Sequence, residues 1–242
     1  MKPKQRLDVL LVDRGLVDSR EKARALILAG QVLVDGQKLD KSGHAVPSDA
    51  RVELLASPRY VGRGGLKLEA ALDHFAVAVA GKICLDVGSS TGGFTDCLLQ
   101  RGAARVYAID VGTAQLDWKL RNDPRVVVRE QVNARYLTRE VVPESIDLAV
   151  CDVSFISITM ILPALVNLLA KSAEMVILVK PQFELEREQV GKGGIIRDPA
   201  LHQQACRRVE DAVRRLGFET HIIPSPVLGA EGNQEFLLYA RH

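Results

Sequence analysis

The sequence predicts an α/β fold in two parts: a small front module of two helices and a few short strands, and a larger body built on a seven-stranded sheet whose last strand is antiparallel. Three observations predict it. In the body, strand-like apolar runs alternate with helical stretches, the pattern of a parallel sheet covered on both faces. The last two runs are joined by only about ten loop residues, too few for a right-handed crossover helix, so they form a hairpin. A Pro- and Gly-containing stretch separates front from body.

Composition agrees. The 242 residues are 47% hydrophobic and 26% charged, a profile that can bury a core and excludes a disordered chain. The longest apolar stretch, Ile156 to Ala170, has 15 residues and contains Ser157, Thr159, Pro163 and Asn167. It is too short and too polar to cross a bilayer, and MKPKQRLDV has no apolar segment behind its basic residues, so no secretory signal is expected. The four cysteines (Cys84, Cys97, Cys151, Cys206) form no CxxC pair, which points away from structural zinc and disulfides and toward a reducing, cytoplasmic setting. No metal is expected, and a monomer is the default. The formal charge of +2 divides unevenly: residues 1–65 carry 12 Lys and Arg against 8 Asp and Glu, the rest 20 against 22. A basic front on a near-neutral body suggests a polyanionic partner.

In the front module, RLDVLLVDRG reads as an amphipathic helix stopped at Gly15. Ser19 is a suitable N-cap for REKARALILA, which stops at Gly30. QVLVDGQKL is a hairpin with an Asp35-Gly36 turn, and Ala45 to Leu55 adds an extended piece. The module is expected over residues 1–56, a linker over 57–65 and the body over 66–242. Expected strands in the body are Lys82–Val87, Arg105–Asp110, Arg125–Arg129, Ile146–Asp152, Glu174–Lys180, Phe218–Pro224 and Glu235–Arg241. Expected helices include Gly93–Arg101 and Pro199–Leu216.

Two constellations carry chemistry. In CLDVGSSTGGFTDCLLQRG a buried strand ends at Asp86 and a Gly-rich turn leads into a helix, the usual place for a ligand in an α/β sheet. The GxxxGG spacing lacks the Lys-Ser/Thr of a P-loop and departs from the GxGxxG dinucleotide pattern. Asp110, closing the next strand, is suited to ribose hydroxyls. A nucleoside-type cofactor is expected, and the antiparallel last strand favours S-adenosylmethionine over NAD. The second constellation is dispersed: Asp152 and Lys180 at strand ends, Glu235 opening the last strand, and Lys67 early in the helix after the linker. A lysine ending a buried strand needs a carboxylate, here Asp152 or Glu235, beside it.

The chain as a whole resembles the TlyA, or haemolysin A-like, family of ribosomal RNA 2′-O-methyltransferases. RLDVLLVDRGLVDSREKARALILAGQVLVDG is similar to the S4 RNA-binding module that fronts this family. GRGGLKLEAAL, LDVGSSTGGFTD, CDVSFISI, ILVKPQFE and VGKGGIIRD resemble its methyltransferase segments in order. The resemblance implies a seven-stranded Rossmann-like S-adenosylmethionine methyltransferase sheet of the FtsJ-like type behind a small S4-type domain. It also implies the Lys–Asp–Lys–Glu tetrad of the related FtsJ-like enzymes, matched by Lys67, Asp152, Lys180 and Glu235. In the linker, Tyr60 stands where the mycobacterial-type members carry Trp.

The implied reaction moves a methyl group to a ribose 2′-hydroxyl by in-line displacement. Lys180 is expected to deprotonate or steer that hydroxyl, with Asp152 orienting Lys180, and Lys67 and Glu235 holding the ribose and the lysine. Cofactor contacts are expected from Asp86, Gly88, Ser89, Ser90, Thr91, Gly92, Gly93 and Asp110, with Asn133 near the adenine. The loop VGKGGIIRD is a candidate lid, with Lys192 and Arg197 meeting phosphates. In the front module Arg6, Arg20, Lys22 and Arg24 are candidate phosphate contacts to ribosomal RNA or the ribosomal subunit. A cytidine is the expected target. The chain ends almost at its last strand, as in shorter members of the family, which suggests large-subunit RNA. Two other readings are a non-catalytic ribosome-assembly factor and a membrane-active haemolysin, the latter lacking a suitable segment.

Overall fold

The computed structural model describes residues 3–55, 59–191, 193–229 and 231–242. The chain divides into two compact units, Met1–Pro58 and Arg59–His242.

The front unit runs β1 (Lys4–Arg6), α1 (Leu7–Asp13), α2 (Arg20–Leu28), β2 (Val32–Val34), β3 (Gln37–Lys38), β4 (Ala45–Pro47) and β5 (Val52–Leu54). β1 pairs with β4, and β3, β2 and β5 form a small antiparallel sheet. The expected elements are present with two differences: the extended piece Ala45 to Leu55 divides into β4 and β5, which join different sheets, and the start of the first helix shifts. Arg6 does not open the first helix; it has extended backbone and ends β1, so α1 begins at Leu7. As expected, Ser19 caps α2, its hydroxyl accepting from the Lys22 N–H at 3.2 Å. The Asp35-Gly36 turn joins β2 to β3, and the Asp35 carboxylate also accepts from the Arg51 N–H at 2.9 Å, holding β5 in place. Leu7, Leu10 and Leu11 of α1 pack with Ala23 and Ile27 of α2 and with Val32 and Val46 in this unit's core.

The second unit runs α3 (Gly64–His74), β6 (Ile83–Val87), α4 (Gly93–Gln100), β7 (Arg105–Ile109), α5 (Trp118–Arg121), β8 (Val126–Arg129), β9 (Ile146–Cys151), α6 (Leu162–Val166), β10 (Leu169–Val179), α7 (Pro181–Glu184), α8 (Pro199–Arg214), β11 (Glu219–Pro224) and β12 (Phe236–Arg241). Its sheet has the order β11-β12-β10-β9-β6-β7-β8. β6 through β10 pair in parallel, and β12 is antiparallel to both β10 and β11, as the short final connection requires. Successive strand residues alternate between two cores. Leu148, Val150, Val176 and Leu178 face α3 and α4, while Ala149, Cys151, Ile177 and Val179 pack with Val209 and Val213 of α8. Burial on both faces explains why the strands read as unbroken apolar runs.

Two boundaries differ from expectation by more than two residues or by a change of element. β10 starts at Leu169 rather than Glu174, with a register break between those residues; the exposed Lys171 and Ser172 interrupt the apolar pattern that marks a strand. The stretch expected as linker, 57–65, also divides. Residues 57 and 58 lie outside the described residues, but Tyr60 is buried in the second core and Gly64 and Gly65 already belong to α3. A Cβ on Gly65 would lie 2.3 Å from the Tyr60 ring. The glycine therefore lets the aromatic ring seat against the start of α3.

Candidate active site

The chain leaves β6 toward β7 and β8 and returns to β9 on the other side of β6, so a crevice opens beyond the carboxyl ends of β6 and β9. Ligands bind at this kind of switch point. The turn after β6 and the segment after β9 meet there closely: a Cβ on Gly88 (φ 84°) would lie 2.4 Å from the Asp152 carbonyl oxygen. Both the left-handed backbone and the contact require glycine. The Gly88 and Ser89 N–H groups donate to the Ile109 carbonyl, and the Asp110 carboxylate accepts from the Ser90 N–H and the Gly112 N–H, both at 2.7 Å. Asp110 is thus fixed to the turn before any ligand arrives.

The four dispersed residues come together and line one cavity of about 320 Å³. They do so as two ion pairs. Lys67, from α3, donates to Glu235 Oε2 at 2.5 Å, with both side chains almost fully buried. Lys180 Nζ lies 2.6 Å from Asp152 Oδ1 and donates to Ser154 Oγ at 2.8 Å. The Asp152 contact is a charge contact off hydrogen-bond alignment, since Oδ1 has no aligned donor among the described residues. Of the two carboxylates expected beside Lys180, Asp152 fills the role, and Glu235 serves Lys67 instead.

A second cavity, of about 450 Å³, is lined by Asp110 and Asn133 and shares Gly88, Ser90, Asp152 and Ser154 with the first. A third, of about 460 Å³, shares Ser154, Lys180 and Glu235 with the first and adds Phe155, Gln182 and Phe183. The tetrad therefore sits where a nucleoside-sized space and an aromatic-sided space meet. Ser89, Thr91 and Gly93 line the first cavity. Asp86 and Gly92 line none of the three. Gly92 caps α4 and packs toward Leu116 and Leu120. Asp86 lies fully buried behind the turn, one oxygen accepting from the Thr95 hydroxyl at 2.6 Å and the other without a hydrogen-bond partner among the described residues. Burial pushes its carboxyl up to about 7, against the pull of the Thr95 hydrogen bond.

Arg197 lines none of these three cavities. It is exposed just before α8, and Lys192 lies outside the described residues. The far half of the expected lid is pinned: Asn233 accepts from the Ile196 N–H and donates to the Gly194 carbonyl, both at 2.9 Å. In the front unit, Arg6, Arg20 and Arg24 converge on Asp8, while Lys22 pairs with Asp18.

Sequence reasoning missed Ser154, Phe155 and Glu184. Phe155 has a left-handed backbone and an almost fully exposed ring 5.3 Å from that of Phe183. Buried Glu184 accepts from the Ser157 hydroxyl and the Ile158 N–H, tying α7, and with it Lys180, to the segment after β9. Their only signal is position, immediately after strands that end in ionisable residues.

Residues 60–242 match the FtsJ-like methyltransferase family and residues 5–52 match the S4 domain. YqxC of Bacillus subtilis, provisionally named an rRNA methyltransferase, is 50% identical over 98% of this chain and 85% of its own. The 16S/23S rRNA (cytidine-2′-O)-methyltransferase TlyA of Mycobacterium tuberculosis is 47% identical over 100% of this chain and 91% of its own. A solved structure from Streptococcus thermophilus that carries a hemolysin label is 44% identical, with a TM-score of 0.75 over 100% of this chain and 89% of that one. No helix among the described residues is long and apolar enough to cross a membrane. With a switch-point crevice, a paired tetrad and family matches over both units, the chain belongs to the FtsJ-like methyltransferase family and carries an S4 domain ahead of its catalytic sheet.

Proposed function

We propose that this protein methylates the ribose 2′-hydroxyl of a cytidine in ribosomal RNA, with S-adenosylmethionine as donor. The observation that carries the reading is the junction of three cavities at the Lys67–Glu235 and Asp152–Lys180 pairs. The residues fit the donor. Asp110 lines a nucleoside-sized cavity with its carboxylate held by two backbone N–H groups and oxygen lone pairs left for ribose hydroxyls. When bound, S-adenosylmethionine supplies the methyl group from a sulfonium centre.

The protein's own residues do the rest. Lys180, oriented by Asp152 and Ser154, steers the 2′-hydroxyl; once it has given up its own ammonium proton, its amine takes the hydroxyl proton as the new carbon–oxygen bond forms and the methyl group's bond to sulfur breaks. Glu235 fixes Lys67 so that its ammonium meets the incoming ribose in one geometry. Alignment of the hydroxyl with the methyl group accounts for a large share of the acceleration. The segment with Phe155 and Phe183 offers an apolar side for a nucleotide turned out of its stack, the usual mode of access to single residues in RNA. The S4 domain and the TlyA relative both point to ribosomal RNA.

The test is transfer of labelled methyl from S-adenosylmethionine to unmodified 30S subunits, 50S subunits and free rRNA, with large-subunit RNA tried first. Nucleoside mass spectrometry then identifies the product. Lys180-dependent 2′-O-methylcytidine is expected. Cofactor binding without transfer to any of these RNAs would overturn the reading in favour of a ribosome-assembly role.

A further inference from the structure

The front unit carries an arrangement that charge counting does not reveal. Asp8, in the first turn of α1, has a fully buried side chain that receives three guanidiniums from different places. Arg6 Nε and Nη2 bond its two oxygens at 3.0 and 2.9 Å, and Arg20 Nη2 and Arg24 Nε reach Oδ2 at 3.1 and 3.2 Å. Because three nitrogens meet one oxygen, no two of them lie more than about 6 Å apart. The arginine side chains stay about half exposed, at 47–49%. Three cations on one carboxylate leave an excess of two positive charges facing water. Lys22 is separate: two residues from both Arg20 and Arg24 on α2, it pairs with Asp18 instead.

A buried carboxylate with a single arginine would be a neutral structural pair. Three arginines on one carboxylate are something else, because each guanidinium retains N–H donors after bonding Asp8 and has its plane set by that bond. Such a fork-lined, net-positive cluster is complementary to a phosphodiester, whose two free oxygens accept paired N–H groups. We propose that Asp8 is a positioning residue for RNA binding: it preassembles Arg6, Arg20 and Arg24 into one phosphate-binding cluster, so that a negative residue strengthens the grip on a polyanion. The inference rests on the reading of RNA as substrate and adds the residue that organises the contact.

The proposal reverses the sign expected from charge alone. Asp8→Asn keeps the size of the side chain and makes the front unit more positive by one. If only charge mattered, RNA binding would tighten and its salt dependence would steepen by roughly 0.7 to 0.9 in log–log slope. If Asp8 positions the arginines, binding to unmodified rRNA weakens by about tenfold and the salt slope becomes shallower. In the methyl-transfer assay KM rises and kcat stays near the wild-type value, a split that general damage to the protein does not produce. The full-length chain is used, with far-UV circular dichroism and urea unfolding as controls on folding. The double variant Arg20→Lys, Arg24→Lys conserves charge at exposed side chains and removes only the fork geometry; it is expected to weaken binding in the same direction, and it decides the matter if Asp8→Asn fails to fold. Equal or tighter binding by Asp8→Asn, or wild-type affinity in the double lysine variant, overturns the proposal while leaving the methyltransferase reading intact. A wild-type protein that binds none of these RNAs would remove that reading and this inference together.

Discussion

The two units hold buried charge in opposite ways. In the front unit one carboxylate, Asp8, serves three arginines and leaves an outward excess of positive charge. At the tetrad each lysine has its own carboxylate, Lys67 with Glu235 and Lys180 with Asp152. The first arrangement suits a surface that must attract a polyanion. The second suits a reaction centre, where a net charge is less useful than fixed direction and where an unpaired buried ion costs several kcal/mol by order of magnitude. Position, more than the number of charges, separates a binding surface from a catalytic one here.

The comparison breaks most visibly at Lys180. Lys180→Ala is expected to lower methyl transfer by roughly 10²- to 10⁴-fold, the range for loss of a positioned acid–base group. Its cofactor affinity, read by calorimetry, should stay close to wild type; a parallel loss of cofactor binding would move Lys180 out of the reaction step. The other pair is expected to show its one-to-one character in stability. Glu235→Gln, which leaves the Lys67 ammonium buried without its carboxylate, should cost about 3–5 kcal/mol in urea unfolding. Lys67→Met combined with Glu235→Leu should cost less than that single change, and a double variant as unstable as the sum of its parts would show that the pair is not the unit.

A third measurement concerns Asp86, a buried carboxyl with no counter-ion among the described residues. Its native value of about 7 exceeds that of an unfolded aspartate, about 4. Between those values the native state holds a proton the unfolded chain has released. Its contribution to stability is therefore full below about pH 4 and is lost as pH rises through about 7. Asp86→Asn should flatten this part of the stability profile, and an unchanged profile in thermal unfolding would show that Asp86 is not its source. The smallest effect is expected from Ser154→Ala, which removes the hydroxyl bonded to Lys180 but leaves Asp152. A drop in kcat of several-fold is expected, on the scale of one hydrogen bond, with KM nearly unchanged.

Much of the fold was legible in the sequence because strands buried on both faces must be apolar throughout and because the last connection is too short to cross over. The turn from Gly88 to Gly93, the Ser19 cap and the Asp35-Gly36 hairpin were readable for the same reason: they are local, and few residue types satisfy their geometry. The four tetrad residues could be named through family resemblance. What the sequence did not contain was partnership. Lys67 and Glu235 are 168 positions apart in the chain, and only the closing of β12 against β10 beside α3 determines that they pair with each other. Asp8 reads in sequence as one acid on a helix, and only the packing of α1 on α2 turns it into the point where three arginines meet. Backbone preference and apolar burial act on short stretches or repeat along them, so the sequence alone determined the elements and their sides. Ion pairs need two particular side chains within about 4 Å, a distance that exists only once the tertiary structure has formed.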